Sequence, residues 1–588
     1  MNKIPLFFCL CLVASVAVAA QPFVELAQGR PVLCVNADND HYFKARYMAN
    51  LLPLEGRFSE AGVRKYLDIV AAGGVTHLFL CPVGQRASFD ATSCDPIWLA
   101  IDEAKARGVG PDEWPVNAKR LHDAGLDAYA IWCKAAREKG SVSVWISMRM
   151  NDVHFVNEPW NIRTNRFWYE HPELRRVTDK DPQKGGSWTQ FALDYSKKEV
   201  QEFEFGIFKE LVDRYDADGY ELDWMRFWEH LTPGKERGQA RILTDFMKRC
   251  RTYAQAAGAR RGHPVYLSTR VPTSYAAALD FGYDPETWVR EGVVEMISVG
   301  NFWAADDYDF DFAGWKRRIA AVNPNVTVLP GASDNLCAGP GLPVFPANMA
   351  AWRGWADNMY AEGAEGLYFF NVAYKSDDIQ RQLYERGLSP LDARTGWRRY
   401  PIAYHDCTKT LAQDARQLPV DCDKPVALNV RAGLLGNAKK LEVILAFNVQ
   451  TPCPEVTLNG MRPAAVSPIM EGLAMYGGKV ASCAYALRFE NKAGKPGTNA
   501  LTLASTGKVR LVWAEIAVDR PEALDRMRLQ PRDGRRGRGA RRRQRHGEGA
   551  KMNIPFQPHT EHKTYKGETR HENHTFARSR SGYAEGRR

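Results

Sequence analysis

Two acidic residues spaced two apart, Glu221 and Asp223, stand out in the segment Asp218-Gly219-Tyr220-Glu221-Leu222-Asp223-Trp224-Met225-Arg226 as a pair able to do proton or nucleophilic chemistry. The segment reads as a strand, so Gly219, Glu221 and Asp223 share one face and Tyr220, Leu222 and Trp224 the other. A buried carboxylate without a partner is costly, and two on one face demand cations, hydrogen-bond donors or a functional pocket. Arg149 and Arg270, at the ends of the neighbouring β-rich runs, supply the cations. Glu221 is expected in a satisfied pair with one of these arginines. Asp223, nearer the end of the strand, is expected to do catalysis or touch substrate.

A second polar cluster, Arg149-Met150-Asn151-Asp152-Val153-His154, follows another strand candidate. It brings donors, acceptors and a titratable ring to one place, with Asp152 either a general acid or a loop cap orienting His154. Asn36-Ala37-Asp38-Asn39-Asp40-His41, Asn301-Phe302-Trp303 with Asp306 and Asp307, and Phe369-Phe370-Asn371 close further runs in the same manner. Turn chemistry accounts for the first of these as well as ligand binding does. None of the Cys, His and acidic spacings follows a metal pattern, and neither a metal nor a cofactor is expected.

The elements that must position these groups are eight β-rich runs alternating with amphipathic helical segments. The strands are expected at Val32–Asn36, Val75–Cys81, Val142–Met148, Gly219–Trp224, Val265–Val271, Val294–Val299, Val326–Leu329 and Gly366–Asn371. Helices are expected over Glu60–Ala72, Ala118–Glu138, Lys198–Tyr215, Gln239–Ala257, Trp315–Val322 and Ala347–Glu362. That alternation predicts an α/β fold, a (β/α)8 TIM barrel over residues 21–395. The longest connections follow strands two and three, which puts them on the C-terminal face, where barrels of this kind build their sites.

After Tyr400 short alternating segments predict a C-terminal β-sandwich over 400–520, with strands at Val426–Val430, Leu441–Phe447, Glu455–Leu458, Tyr485–Phe489, Ala500–Leu503 and Val509–Ile516. The net charge of the chain is +10, but residues 526–588 hold 18 Lys and Arg against 6 Asp and Glu. The rest is nearly neutral and gives no electrostatic reason to bind nucleic acid. The Arg-rich tail is expected to be a disordered basic tail. Lys3, the apolar run Leu6–Val18 and small residues before Gln21 read as a signal peptide over 1–20, hence a periplasmic or extracellular protein. No later apolar run is long enough for a membrane span. In an oxidising compartment Cys81 with Cys94, and Cys407 with Cys422, are close enough in sequence to pair, whereas Cys34, Cys133 and Cys250 read equally well as buried thiols.

The strand-four segment, the Arg149–His154 stretch and Arg270-Val271-Pro272 resemble the glycosyl-hydrolase-like family 10 (GHL10-like) group of exported bacterial barrel proteins. The resemblance covers roughly residues 30–390 and implies a glycoside hydrolase, with a poly- or oligosaccharide as partner and Asp223 as the ionised carboxylate. Asp152 ranks first as proton donor, then Asp306 or Asp307, with Asp334 behind. The remaining rim residues, Asn36, Asp38, Arg149, Asn151 and His154, with Trp224, Arg226, Arg270, Trp303 and Asn371, become candidate substrate contacts, the tryptophans by stacking on sugar rings or else as core. The alternative is a non-catalytic polysaccharide-binding protein on the same barrel, with Asp223 locked in an ion pair. A metal-dependent hydrolase is a third reading.

Overall fold

The computed structural model describes residues 21–158, 161–185, 188–300, 307–333, 335–339, 341–372, 375–403, 417–435, 438–470 and 472–521. Eight parallel strands close into a barrel: β1 (Val32–Ala37), β2 (His77–Val83), β3 (Ser143–Arg149), β4 (Gly219–Asp223), β5 (Tyr266–Val271), β6 (Met296–Val299), β7 (Thr327–Ala332) and β8 (Gly366–Phe369). Each follows its predecessor around the ring, and β8 pairs with β1 through Val32 with Gly366 and Val35 with Phe369. The strands are buried on both faces, as a parallel barrel jacketed by helices requires.

Side chains fill the barrel. Val32, Cys34, Phe79, Trp145, Met296, Leu329, Tyr368 and Phe370 form one buried cluster inside it, and Phe23 of the N-terminal helical turn Pro22–Glu25 joins them. Phe23 stacks on His77 with ring centroids 4.2 Å apart and meets the edge of Trp145 at 5.2 Å, closing the N-terminal end. Gly219 permits this packing: a Cβ there would lie 2.3 Å from the Trp145 ring.

All eight expected strands are present. The single helix expected over 118–138 is two, Glu113–Asp123 and Ala128–Lys139. Gly125 takes a φ of 71° between them, and Asp127 caps the second by accepting from the Tyr129 and Ala130 N–H groups. Helices Leu99–Ala106 and Asp377–Arg386 are additional.

The C-terminal part is a pair of antiparallel sheets. One runs Arg398–Pro401, Arg510–Val518, Leu441–Phe447, Cys483–Phe489, Ala465–Ile469, with Val420–Asp421 beside the second of these; the other runs Val426–Ala432, Gly497–Leu503, Val456–Leu458. Arg398–Pro401 lies against barrel helix Met349–Ala361, where a Cβ on Gly354 would come 1.8 Å from the Arg399 carbonyl oxygen. Among the described residues no helix is long and apolar enough to cross a membrane. The expected pairing of Cys81 with Cys94 is not found: both are free thiols, and the Cys81 thiol donates to the Val83 carbonyl at 3.2 Å. Cys422 is free as well, and Cys407, the signal segment and the basic tail lie outside the described residues.

Candidate active site

The strand alternation delivers the carboxyls of β4 to the barrel interior, and register sets their neighbours: Ser147, Glu221 and Ser268 align across β3, β4 and β5, and one step higher Arg149, Asp223, Arg270 and Ser298 align across β3 to β6. Glu221 does not pair with an arginine as expected. Its Oε1 accepts hydrogen bonds from Ser147 Oγ at 2.7 Å and Tyr368 Oη at 2.9 Å, while Oε2 is buried without a partner. Burial, reinforced by the charge of Asp223, pushes Glu221 up to about 7. Tyr368 shares the inward face of β8 with Gly366, and Phe370 just past the strand joins the same interior cluster, the same period-two signal that singled out Glu221, so its role was readable from the chain.

Asp223 is 1% exposed and clamped by Arg270, whose Nε donates to Oδ1 at 2.9 Å and Nη2 to Oδ2 at 3.0 Å; the Met225 N–H donates to Oδ1 at 3.0 Å. Arg270 also lies 4.1 Å above the Phe370 ring, with Arg226 5.2 Å from the same ring.

Arg149 turns away from β4. Its two terminal nitrogens pair with Asp38 and Asp152, and Arg226 meets Asp38 Oδ2 at 3.3 Å and His154 Nε2 at 3.1 Å. His154 Nδ1 closes the chain on Asp152 Oδ1 at 2.6 Å. These contacts fix one tautomer: Nδ1 carries the proton toward the carboxylate and Nε2 accepts from Arg226. Burial brings His154 down to about 4 despite Asp152 beside it. For Asp152 burial acts upward, but His154 and Arg149 overcome it and hold the carboxyl well below the usual range. Asp38 is likewise held low by Arg149 and Arg226 against its burial. Asp152 is thus a hydrogen-bonded network member whose contacts match the second of its two expected roles, a loop cap that orients His154, rather than the proton donor it ranked as. Gly84 is pressed against this network: a Cβ there would lie 2.8 Å from Asp152 Oδ2.

Asp307 contrasts with it. The residue is half-buried at the rim beyond β6, with Oδ2 accepting from Thr273 Oγ1 at 3.3 Å and Oδ1 from the Asp309 N–H at 3.1 Å. Burial pushes it up to about 6, so its carboxyl holds a proton far nearer neutrality than Asp152 does.

Two expected substrate contacts are used elsewhere. The Asn151 amide bonds both the carbonyl and the N–H of Leu193, at 3.1 and 3.0 Å, and meets His230 Nδ1 at 3.0 Å, tying down the loop after β3. Trp224 is fully buried on the helix side among Tyr195, His230 and Tyr283 and cannot stack on a ligand. Asn36, on β1, and Asn371, two residues beyond β8, remain at the mouth, on adjacent strand ends. Both Asn36 amide atoms and Asn371 Oδ1 are buried without hydrogen-bond partners, and Asn371 has a φ of 60°. Trp303, Asp306 and Asp334 lie outside the described residues.

Asp38, Asp40 and His41 have ligand-type atoms within 4.8 Å of one another. They do not suit a metal ion. Asp40 already meets Lys44 at 3.1 Å and Arg163 at 3.0 Å, Asp38 meets two arginines, and His41 Nδ1 accepts from the Asp38 N–H. Four cationic side chains have taken the role an ion would play. Two clefts, of about 190 and 420 Å³, lie on the flank beside helix Ala128–Lys139 and are lined by none of the rim residues.

No family model matches this chain. Among curated proteins, a 1,4-alpha-glucan branching enzyme of Thermobifida fusca is 24% identical over 182 residues, 29% of this chain and 20% of that enzyme's length. Among solved structures, the endo-beta-1,4-mannanase of Thermotoga petrophila is 12% identical, covering 84% of this chain and 98% of its own, with a TM-score of 0.39. A maltogenic alpha-amylase of Thermotoga neapolitana is 12% identical, covering 81% and 99%, with a TM-score of 0.34.

Proposed function

We propose that this chain is a glycoside hydrolase of the GHL10-like kind, cleaving a poly- or oligosaccharide at the C-terminal mouth of the barrel. Glycosidic cleavage needs one carboxyl that carries a proton to the leaving oxygen and one ionised carboxylate that attacks or activates water. The observation that carries the reading is the different surroundings of two rim acids: Asp307 is pushed up to about 6 by burial, and Asp223 is bonded through both oxygens by the guanidinium of Arg270. Asp223 then serves as the ionised member, oriented by Arg270. Asp307, ranked behind Asp152 on sequence alone, takes the proton-donor role. Asn36 and Asn371, with unsatisfied amide atoms, are the substrate contacts the geometry favours.

One observation favours the binding alternative: both Asp223 oxygens are occupied and the residue is nearly inaccessible. A panel of plant, algal and host glycans separates the two. Wild type is expected to release reducing ends from at least one, and Asp223→Asn to lose about 10²–10⁴-fold in rate while staying folded. Retention of several glycans with cleavage of none makes the chain a binding protein. The reading also takes residues 1–20 as a secretion signal, so sequencing of the exported protein should begin near Gln21.

A further inference from the structure

Arg431 belongs to the sandwich, on strand Val426–Ala432, yet its guanidinium ends on the barrel. Nε pairs with Asp309 Oδ1 at 3.2 Å, and Nη1 donates to the Phe310 carbonyl at 3.3 Å and to Glu362 Oε1. Glu362 follows helix Met349–Ala361, and its other oxygen accepts from the Ala313 N–H at 3.1 Å in helix Phe312–Val322. One guanidinium therefore meets three oxygens from two barrel segments, two by hydrogen bonds from Nη1 and one by ion pairing at Nε, a spread of contacts that suits a planar group better than a point charge on a flexible stem. What it gathers matters to the site, because the Asp309 N–H is the donor that holds Asp307 Oδ1.

We propose that Arg431 is a positioning residue for Asp307, so that the sandwich sets the placement of the proton-donating carboxyl across the domain boundary. The inference rests on the reading of Asp307 as proton donor. Arg431 and Asp309 are 26% and 45% exposed, and a pair that open to water adds little stability by itself. Its effect is geometric: the loop leaving β6 is anchored at 309–310 and 313, leaving Asp307 between that anchor and Thr273. The charged groups acting on Asp307 include Asp309, which raises its proton affinity, and Arg431, which lowers it. Losing the Arg431 charge, together with the Asp309 N–H bond, shifts the Asp307 titration upward.

The test uses the full chain with Arg431→Met and Arg431→Lys, each checked for native folding by circular dichroism. On a cleaved glycan, Arg431→Met should leave KM within about two-fold and lower kcat by about 10²-fold, with the alkaline limb of the kcat profile displaced to higher pH; Arg431→Lys should fall between. Carbon-13 carboxyl titration of Asp307, its resonance identified by loss in Asp307→Asn, is read on the same proteins whether or not a glycan is cleaved. An upward shift in Arg431→Met that Arg431→Lys shares in part, although it keeps the charge, supports the positioning role; a shift confined to Arg431→Met reflects charge alone and overturns it. An unmoved Asp307 titration with unchanged kcat overturns it. A wild type that cleaves nothing while the titration shifts instead counts against the hydrolase reading alone.

Discussion

Asp152 and Asp307 stand on the same rim, and their surroundings drive their protons in opposite directions: Arg149 and His154 strip one, while burial retains the other. Sequence spacing could not distinguish them, because a separation of three in a loop says nothing about which way an arginine turns. Alternation was more informative, since a strand leaves no choice of face, and Glu221 and Asp223 point inward as their spacing requires. The same groups set how stability depends on pH. Asp38, Asp40 and Asp152 are held below their unfolded values, so their contribution is present above about pH 4 and fades as pH falls through the folded values. Glu221 behaves oppositely. Its folded value of about 7 exceeds the unfolded one, so the folded state binds more protons and stability declines as pH rises from about 4.3 to about 7. His77, His154 and His230 are held low and act in the opposite sense over the same range, so the signal is a difference: the wild-type urea midpoint minus that of Glu221→Gln should fall between about pH 4 and about pH 7, and a difference that does not change with pH would remove Glu221 as a proton-holding group.

At the scale of elements, hydrophobic periodicity located every barrel strand, because each run is buried on both faces and bounded by a helix. It ran two helices together at 118–138, since the apolar spacing continues through a turn that only Gly125 and the Asp127 cap reveal. Trp224, the residue after β4, faces outward, as continued alternation requires. That face belongs to the strand-helix core, which is why it does not stack on a ligand. Gly219 illustrates how tightly the floor of the barrel supports the layer above it. Gly219→Ala drives a methyl group into Trp145 and should cost about 1–3 kcal/mol by overpacking, read as a lowered urea midpoint. A neutral outcome would mean that the indole moves aside freely. Asn151, expected at the ligand, serves its loop instead, and Asn151→Ala should raise local proteolytic sensitivity near residue 193.

Across the whole molecule, the sandwich is docked on the barrel through a buried cluster. Asp357 of helix Met349–Ala361 is inaccessible and accepts from Tyr400 Oη at 2.7 Å, Arg394 Nε at 3.1 Å and Arg398 Nη1 at 3.4 Å. Removing Asp357 leaves the buried Arg398 without its carboxylate, and Asp357→Ala should destabilise by about 3–5 kcal/mol. Calorimetry should show one transition for wild type and a separate, earlier one for the sandwich in this variant; a single unshifted transition would show that docking rests on apolar packing alone. None of this was legible beforehand, because the contact joins residues whose separation along the chain carries no periodic signal. The existence of the sandwich was legible from its short β-rich runs, of which Val426–Ala432 and Gly497–Leu503 alternate buried and exposed residues whereas the central Leu441–Phe447 is buried throughout.

The account turns on Asp223 as the carboxylate that drives cleavage, and azide rescue addresses it most directly. Asp223→Ala, shown to be folded, is incubated with a glycan cleaved by wild type, with and without sodium azide, and the products are resolved by mass spectrometry. With Asp223 in that role, cleavage is lost in the variant and returns with azide as a glycosyl azide. Cleavage by Asp223→Ala at the wild-type rate, without azide, would contradict it.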